Sequence, residues 1–182
     1  MTKRATYLLV VGERAALAWI LRTQRMAFPP RRGPSLGQLQ VGDNFLLMTT
    51  RGCYHSPDRD RTRVIGAATM SSPIALLDEP ITIVGREFPL ACDLEIASLA
   101  PFREGVEISL LVDQLEVFPH KHAWSAALRR PVVPLPDADA MLLSSKLAQI
   151  AEPAETHRDT YLEGIKPIRR WFRPGSGREP RR

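Results

Sequence analysis

Between Asn44 and Ile96 the apolar residues fall into short runs that suit β-strands, and helical spacing belongs to the flanks. Ala5–Val11, β-branched and aliphatic, reads as a buried first strand. Glu13–Met26 follows as a helix, with Leu17, Ile20, Leu21 and Gln24 at helical spacing and Trp19 beside that stripe. Phe28-Pro29-Pro30 must end it, because proline lacks the backbone donor and restricts the residue before it. Strands are predicted at Asn44–Thr50, Thr62–Met70, Pro80–Phe88 and Cys92–Ile96, with Gly66 leaving room for a close neighbour. Leu110–Val117 suits a short helix or a strand equally. His122–Arg130 suits one or two helical turns, Pro131–Leu135 an extended run, and Asp137–Ile150 a helix capped by Asp137. Strands gathered in the middle, rather than alternating with helices, argue for an α+β fold or a small open barrel with helices at its ends, and against a doubly wound sheet.

A chain of 182 residues allows one domain and a tail. The domain is expected over residues 1–150. Residues 151–182 are expected to be a basic, partly disordered extension, because Pro, Gly, Arg and Glu accumulate there as apolar positions thin out. The net charge of +5 is unevenly spread: 11 basic and 4 acidic residues in 1–70, 7 and 15 in 71–165, and 7 and 1 in 166–182. A basic first third and a basic tail favour a polyanionic partner or else form solvated faces. Arginine far outnumbers lysine, which suits bidentate phosphate contact and stacking on bases. In the tail, Ile165, Ile168, Trp171 and Phe172 interleave with Lys166, Arg169, Arg170 and Arg173. Such a segment can bind nucleic acid, dock on its own domain or touch a membrane surface. The longest aliphatic runs fall far short of the ~20 apolar residues of a membrane span, and no membrane partner is expected. Two cysteines, Cys53 and Cys92, make no disulfide framework, which suits a reducing cytoplasm.

Glycine-rich nucleotide loops, a nucleophile elbow and a helical zinc-protease motif are all missing, so no nucleotide cofactor or other cofactor is expected. Cys53, His55, His120 and His122 would suit zinc if the two segments met, but their spacing matches no zinc signature and no metal site is expected. Asp58-Arg59-Asp60-Arg61 could supply paired carboxylates; neutralisation of neighbouring arginines on a solvated loop explains it as well. No catalytic residue is assigned. Thr49-Thr50-Arg51-Gly52 stands where an apolar strand turns into a basic loop. Two hydroxyls and a guanidinium there can line a ligand pocket, or the threonines can simply end a strand. Trp19, Phe28 and Trp124 are candidates for an aromatic wall or for core. Arg59, Arg61 and Arg63, with Arg169 and Arg170, are the candidates for contact with a nucleic-acid backbone.

Four features together resemble the EVE domain, a PUA-like relative of YTH and ASCH domains. They are the strand Tyr7-Leu8-Leu9-Val10; Val41-Gly42-Asp43 followed by Phe45–Met48 and Thr49-Thr50; Val64-Ile65-Gly66-Ala67-Ala68; and Leu128-Arg129-Arg130 with Val132–Pro136 and a helix from Asp137. The resemblance covers about residues 5–150. It implies a PUA-like small β-barrel with helices packed on it, in a family whose members bind nucleic acid and in several cases hold a flipped, modified base between aromatic walls. By position it assigns Thr49 and Thr50 to the pocket border, Phe28 to an aromatic after the first helix, Arg31 and Arg32 to an arginine-bearing loop, and Arg129 and Arg130 to the basic residues before the closing strand. The chain departs from the family at Phe28–Arg32, where a Trp followed by Gly-Val-Arg-Asn is usual, and at Thr49-Thr50, where a His-Ser pair is common.

The function expected is a nucleic-acid-binding module, for RNA or DNA, that recognises a modified or flipped base without catalysis. Two alternatives stand beside it. One is a hydrolase acting on modified nucleosides or RNA, as in some ASCH-type relatives. The other is a protein-interaction domain whose acidic middle faces a basic partner.

Overall fold

The computed structural model describes residues 4–30 and 36–165. Its elements in chain order are β1 (Thr6–Val11), α1 (Arg14–Thr23), β2 (Arg25–Phe28), β3 (Asn44–Thr49), β4 (Arg63–Met70), β5 (Ala75–Ile83), β6 (Arg86–Leu99), β7 (Val106–Glu107), β8 (Val132–Pro134), α2 (Asp137–Ala148), β9 (Glu152–Pro153) and α3 (Ala154–Gly164). Short 3-10 turns occupy Leu36–Gln38, Ile108–Leu110, Val112–Gln114 and Lys121–Arg129.

β1 and β3 run parallel, in register from Thr6 opposite Asn44 to Val11 opposite Thr49. Both are apolar without alternation because both faces of the sheet are covered. Leu9, Val11, Phe45 and Leu47 pack with α1 residues Leu17 and Leu21 on one side. Leu8, Leu46 and Met48 pack with Leu143 and Leu147 of α2 on the other. All the other strand pairs are antiparallel, and the order across the sheet is β2-β6-β4-β3-β1-β8. The sheet curls into a half-barrel, the small barrel with packed helices that the sequence implies.

The spine of the curl is β6. Its first half pairs with β5 and, from Leu90 to Asp93, with β2; its second half pairs with β4 and β9. At the crossing with β4, a Cβ on Gly66 would stand 2.6 Å from the Ser98 carbonyl oxygen and 2.8 Å from Leu99 Cδ2. Gly66 therefore sets how closely the two strands approach.

Several elements differ from expectation, each for a local reason. α1 stops at Thr23 because Gln24 adopts a left-handed conformation (φ 50°, ψ 44°). The Gln24 carbonyl then accepts from Leu94 N–H at 2.7 Å, and its side-chain Oε1 accepts from Ile96 N–H at 3.2 Å. These bonds launch β2 at Arg25, one residue before the predicted helix end at Met26. The expected strand Pro80–Phe88 runs through a turn. Val84 and Gly85 both have positive φ (50° and 73°), so β5 and β6 form a hairpin joined by two left-handed residues.

α2 begins after Pro136, not with Asp137 as its cap. The carboxylate that matters is Asp139, which is buried and accepts from the backbone N–H groups of Glu116 (2.9 Å) and Val117 (2.7 Å). The region from Leu110 is neither a regular helix nor a strand but 3-10 turns, followed by the Glu116-Val117 backbone that Asp139 holds. Beyond Ile150, within the expected extension, β9 and α3 belong to the body: Ala154, Tyr161 and Ile165 join the core beside α1, and the Tyr161 ring lies edge-on to Phe102 at 5.2 Å.

Gly66→Ala forces a methyl group against backbone. It is expected to destabilise the protein by about 1–3 kcal/mol, read as a lower urea midpoint at unchanged slope. An unchanged midpoint would mean that the β4–β6 approach is not tight.

Candidate functional site

The parallel strands β1 and β3 end side by side, and a groove opens at that end. One half, about 620 Å³, lies between the end of β1 (Val10 to Gly12), the face of α1 that carries Ala16 and Trp19, edge strand β2 with Ala27 and Pro29, and the β5–β6 hairpin with Val84 and Phe88. The other half, about 570 Å³, extends past Thr50 to Leu128, Arg129 and Arg130. The two halves share Val10, Gly12, Pro29, Arg86, Phe88 and Pro131, so they form one continuous groove. Each is within the size range of small-molecule sites. The first half offers flat apolar faces on Trp19 and Phe88, whereas the second is edged with guanidinium groups.

Glu13 is the acidic group at the start of α1. Its Oε1 accepts from Ala15 N–H at 3.3 Å, and its two carboxylate oxygens lie 3.1 and 3.0 Å from His55 Nε2. Burial would raise the Glu13 carboxyl; the His55 hydrogen bond, the Ala15 N–H and the proximity of His55 and Arg14 outweigh it and hold the group below its ordinary value. The pair thus favours the folded state at neutral pH, and that contribution fades as pH falls through the lowered value.

The second threonine of the pair carries the strand-end reading. Thr50 lines the groove together with Arg129 and Arg130, and a Cβ on Gly12 would sit 3.6 Å from Thr50 Oγ1. Thr49 is buried instead, and Phe28 is wholly enclosed in the core opposite Leu90 of β6, so neither lines the groove. Arg51 is exposed outside the groove, and its backbone N–H donates to Thr62 Oγ1 at 3.2 Å. Of the three aromatic candidates, Trp19 alone lines the groove; Trp124 packs edge-on to Phe118 at 5.6 Å in the opposite core. Arg31, Arg32, Arg169 and Arg170 lie outside the described residues.

The basic loop is tied to neighbouring segments through Asp60, Arg61 and His55. Asp60 is buried and bridges Arg103 at 2.8 Å, and the Arg103 guanidinium lies 5.2 Å from the Tyr54 ring centre. Arg61 donates to the Asp58 and Asp60 carbonyls and, with Arg63, flanks Glu107 at 3.9 and 3.8 Å. Arg59 is exposed. Asp58-Arg59-Asp60-Arg61 therefore shapes a loop through Asp60 rather than presenting two carboxylates to a substrate. Cys53 is buried and His55 is engaged by Glu13; His120 and His122 stand near each other with ring centres 6.4 Å apart. Among the described residues no three His, Cys, Asp or Glu side chains gather to hold a metal ion.

Glu13, Arg86 and Phe88 are groove residues that the sequence reading passed over. Arg86 and Phe88 are two apart on one strand and so share a face, but that face reaches the groove only because β6 curls back beside β2.

No protein-family model matches the chain, and no curated protein does. Among solved structures, the fold is similar to that of a Pseudomonas putida protein (15% identity, TM-score 0.53, covering 78% of this chain and 98% of that one). It is also similar to the YTH domain of Zygosaccharomyces rouxii MRB1 protein in complex with N6-methyladenosine RNA (14%, 0.53, 80% and 87%). A third is human THYN1 protein in complex with DNA containing 5-methylcytosine (11%, 0.50, 78% and 97%). The chain thus has the α+β PUA-like fold of those neighbours, the fold that its resemblance to EVE domains implied.

Burial, with neighbouring carboxylates adding to it, pushes the thiols of Cys53 and Cys92 up to about 12. Neither is a thiolate nucleophile near neutral pH. Iodoacetamide at pH 8 is expected to leave both unmodified in the native protein and to label both in denaturant. Rapid native labelling of Cys53 would contradict its placement.

Proposed function

We propose that the groove receives a single modified or flipped nucleobase of an RNA or DNA strand. The observation that carries this reading is the groove's division: Trp19 stands at one end, Thr50, Arg129 and Arg130 at the other, and Phe88 lines both halves between them. A base needs stacking surfaces and hydrogen-bond partners, and its flanking phosphates need cations. The fold's likeness to proteins solved with N6-methyladenosine RNA and 5-methylcytosine DNA supports the reading.

In this reading Arg129 and Arg130 meet phosphate at the groove, and exposed Arg59, with Arg169 and Arg170 of the tail, extends the contact along the strand. Arg61 and Arg63 contribute less, because they already face Glu107. Two buried free thiols suit action in a reducing compartment such as the cytoplasm. Among the described residues no helix is long and apolar enough to cross a membrane.

The test is binding of the full chain to short RNA and DNA oligomers with and without N6-methyladenosine or 5-methylcytosine, read by calorimetry. One modified oligomer is expected to bind at least ~10-fold tighter than its unmodified twin. Trp19→Ala should lose about 1–3 kcal/mol, the usual worth of base stacking, and Arg129→Ala should flatten the salt dependence. Equal binding of every oligomer, unchanged in Trp19→Ala, would overturn the reading.

A further inference from the structure

Among the described residues, the arginines that face carboxylates differ from those that line the groove. Arg25, Arg61, Arg63 and Arg103 each face a carboxylate, on Asp93, Glu107 or Asp60. The side chains of Arg86, Arg129 and Arg130, which line the Thr50 half of the groove, make no ion pair or hydrogen bond among the described residues. They come from two places far apart in sequence, the β5–β6 hairpin and the approach to β8, and the fold brings them to one site. Their side chains are exposed, so each keeps its donors free for a ligand.

Among the described residues, Glu87 is the one acidic residue lining this half. Three guanidinium groups against one carboxylate leave the site two positive charges in excess. An internal phosphodiester carries one negative charge. A phosphate monoester carries about −1.5 to −2 at pH 7 and presents three acceptor oxygens. A monoester matches the excess at a single phosphorus, whereas one diester leaves a charge over and two diesters match it only if both phosphates flanking the base reach the site.

We infer that Arg86, Arg129 and Arg130, with the Thr50 hydroxyl, form a site for a phosphate monoester. The ligand of the whole groove is then a nucleotide whose base lies against Trp19 and Phe88 and whose terminal phosphate lies among these arginines. This rests on the base-binding reading above and adds the phosphate end of the ligand. Two sources share this chemistry: a free nucleoside monophosphate, and the phosphorylated end of a strand.

The experiment compares nucleosides, their 5′- and 3′-monophosphates, inorganic phosphate, and oligomers with phosphorylated or hydroxyl ends, each titrated into the full chain and read by calorimetry. The nucleosides include N6-methyladenosine and 5-methylcytidine besides the four common ones. A monophosphate is expected to bind at least ~10-fold tighter than its nucleoside, and Arg86→Ala and Arg129→Ala should each remove most of that gain. If free monophosphates and end-phosphorylated oligomers both show the gain, the site takes either source; a gain in the oligomers alone assigns it to strand ends. Equal affinity of nucleoside and monophosphate, with no preference for phosphorylated ends, would overturn the phosphate site and leave the base reading standing. Binding of inorganic phosphate equal to that of every monophosphate, indifferent to Trp19→Ala, would overturn the base reading and with it the composite ligand. No binding by any probe would overturn both.

Discussion

The structure depends on one close approach of backbone to backbone. β6 is a single 14-residue strand that serves β5 and β2 with one half and β4 and β9 with the other. It can curl past β4 only because Gly66 has no side chain where Ser98 and Leu99 pass. That curl returns the hairpin end of β6 to β2, and β2 to the open end of β1. Without it Phe88 and Arg86 would stand far from Thr50 and Arg129, and the groove would have no second wall. Edge strand β2, held by the Gln24 bonds to Leu94 and Ile96, supplies the rest of that wall.

Electrostatics then separates scaffold from site. The loop between β3 and β4 looks in sequence like a basic patch, yet Asp60 and Arg61 are committed to neighbouring segments while Arg51 and Arg59 stay exposed. Asp60 locks Arg103 over Tyr54, and Glu107 sits between Arg61 and Arg63. His55 fastens the same loop to Glu13 at the mouth of the groove. Pairing of this kind contributes little per exposed bridge, but it fixes where the loop lies. Local density of arginine therefore misleads as a guide to binding; the arginines left without a carboxylate are the informative ones.

Strands β1, β3 and β4, the extended run of β8 and helix α2 were legible because each is a local pattern, whether an apolar run between turn residues or an apolar stripe after a proline; the parallel pairing of β1 with β3 is not local and was not legible. The breaks were not. Gln24 and Val84 adopt left-handed backbone without being glycine, so nothing in their identity marks the end of α1 or the turn of the hairpin. α3 was missed because, between Ala154 and Gly164, only Ala154 and Tyr161 are buried, too sparse a stripe to distinguish from a polar tail. In the groove, Thr50, Arg129 and Arg130 were reachable through family resemblance and Trp19 through its aromatic character. Phe28, taken for a pocket aromatic, carries an equally strong signal as core, and the pairing of β2 with β6 encloses it. Arg86 and Phe88 were beyond reach, because their role follows from a long-range strand pairing that no local pattern announces.

The central claim is that a base enters beside Trp19 at the ends of β1 and β3. The most direct measurement is a two-dimensional NMR titration of the indole N–H signals, assigned by single Trp→Phe variants, with oligomers bearing N6-methyladenosine or 5-methylcytosine. Trp19 lines the groove, while Trp124 packs on Phe118 in the opposite core. The account predicts a saturable shift of the Trp19 signal, with Trp124 unmoved. A shift of Trp124 with Trp19 unmoved would place the binding surface elsewhere and contradict it.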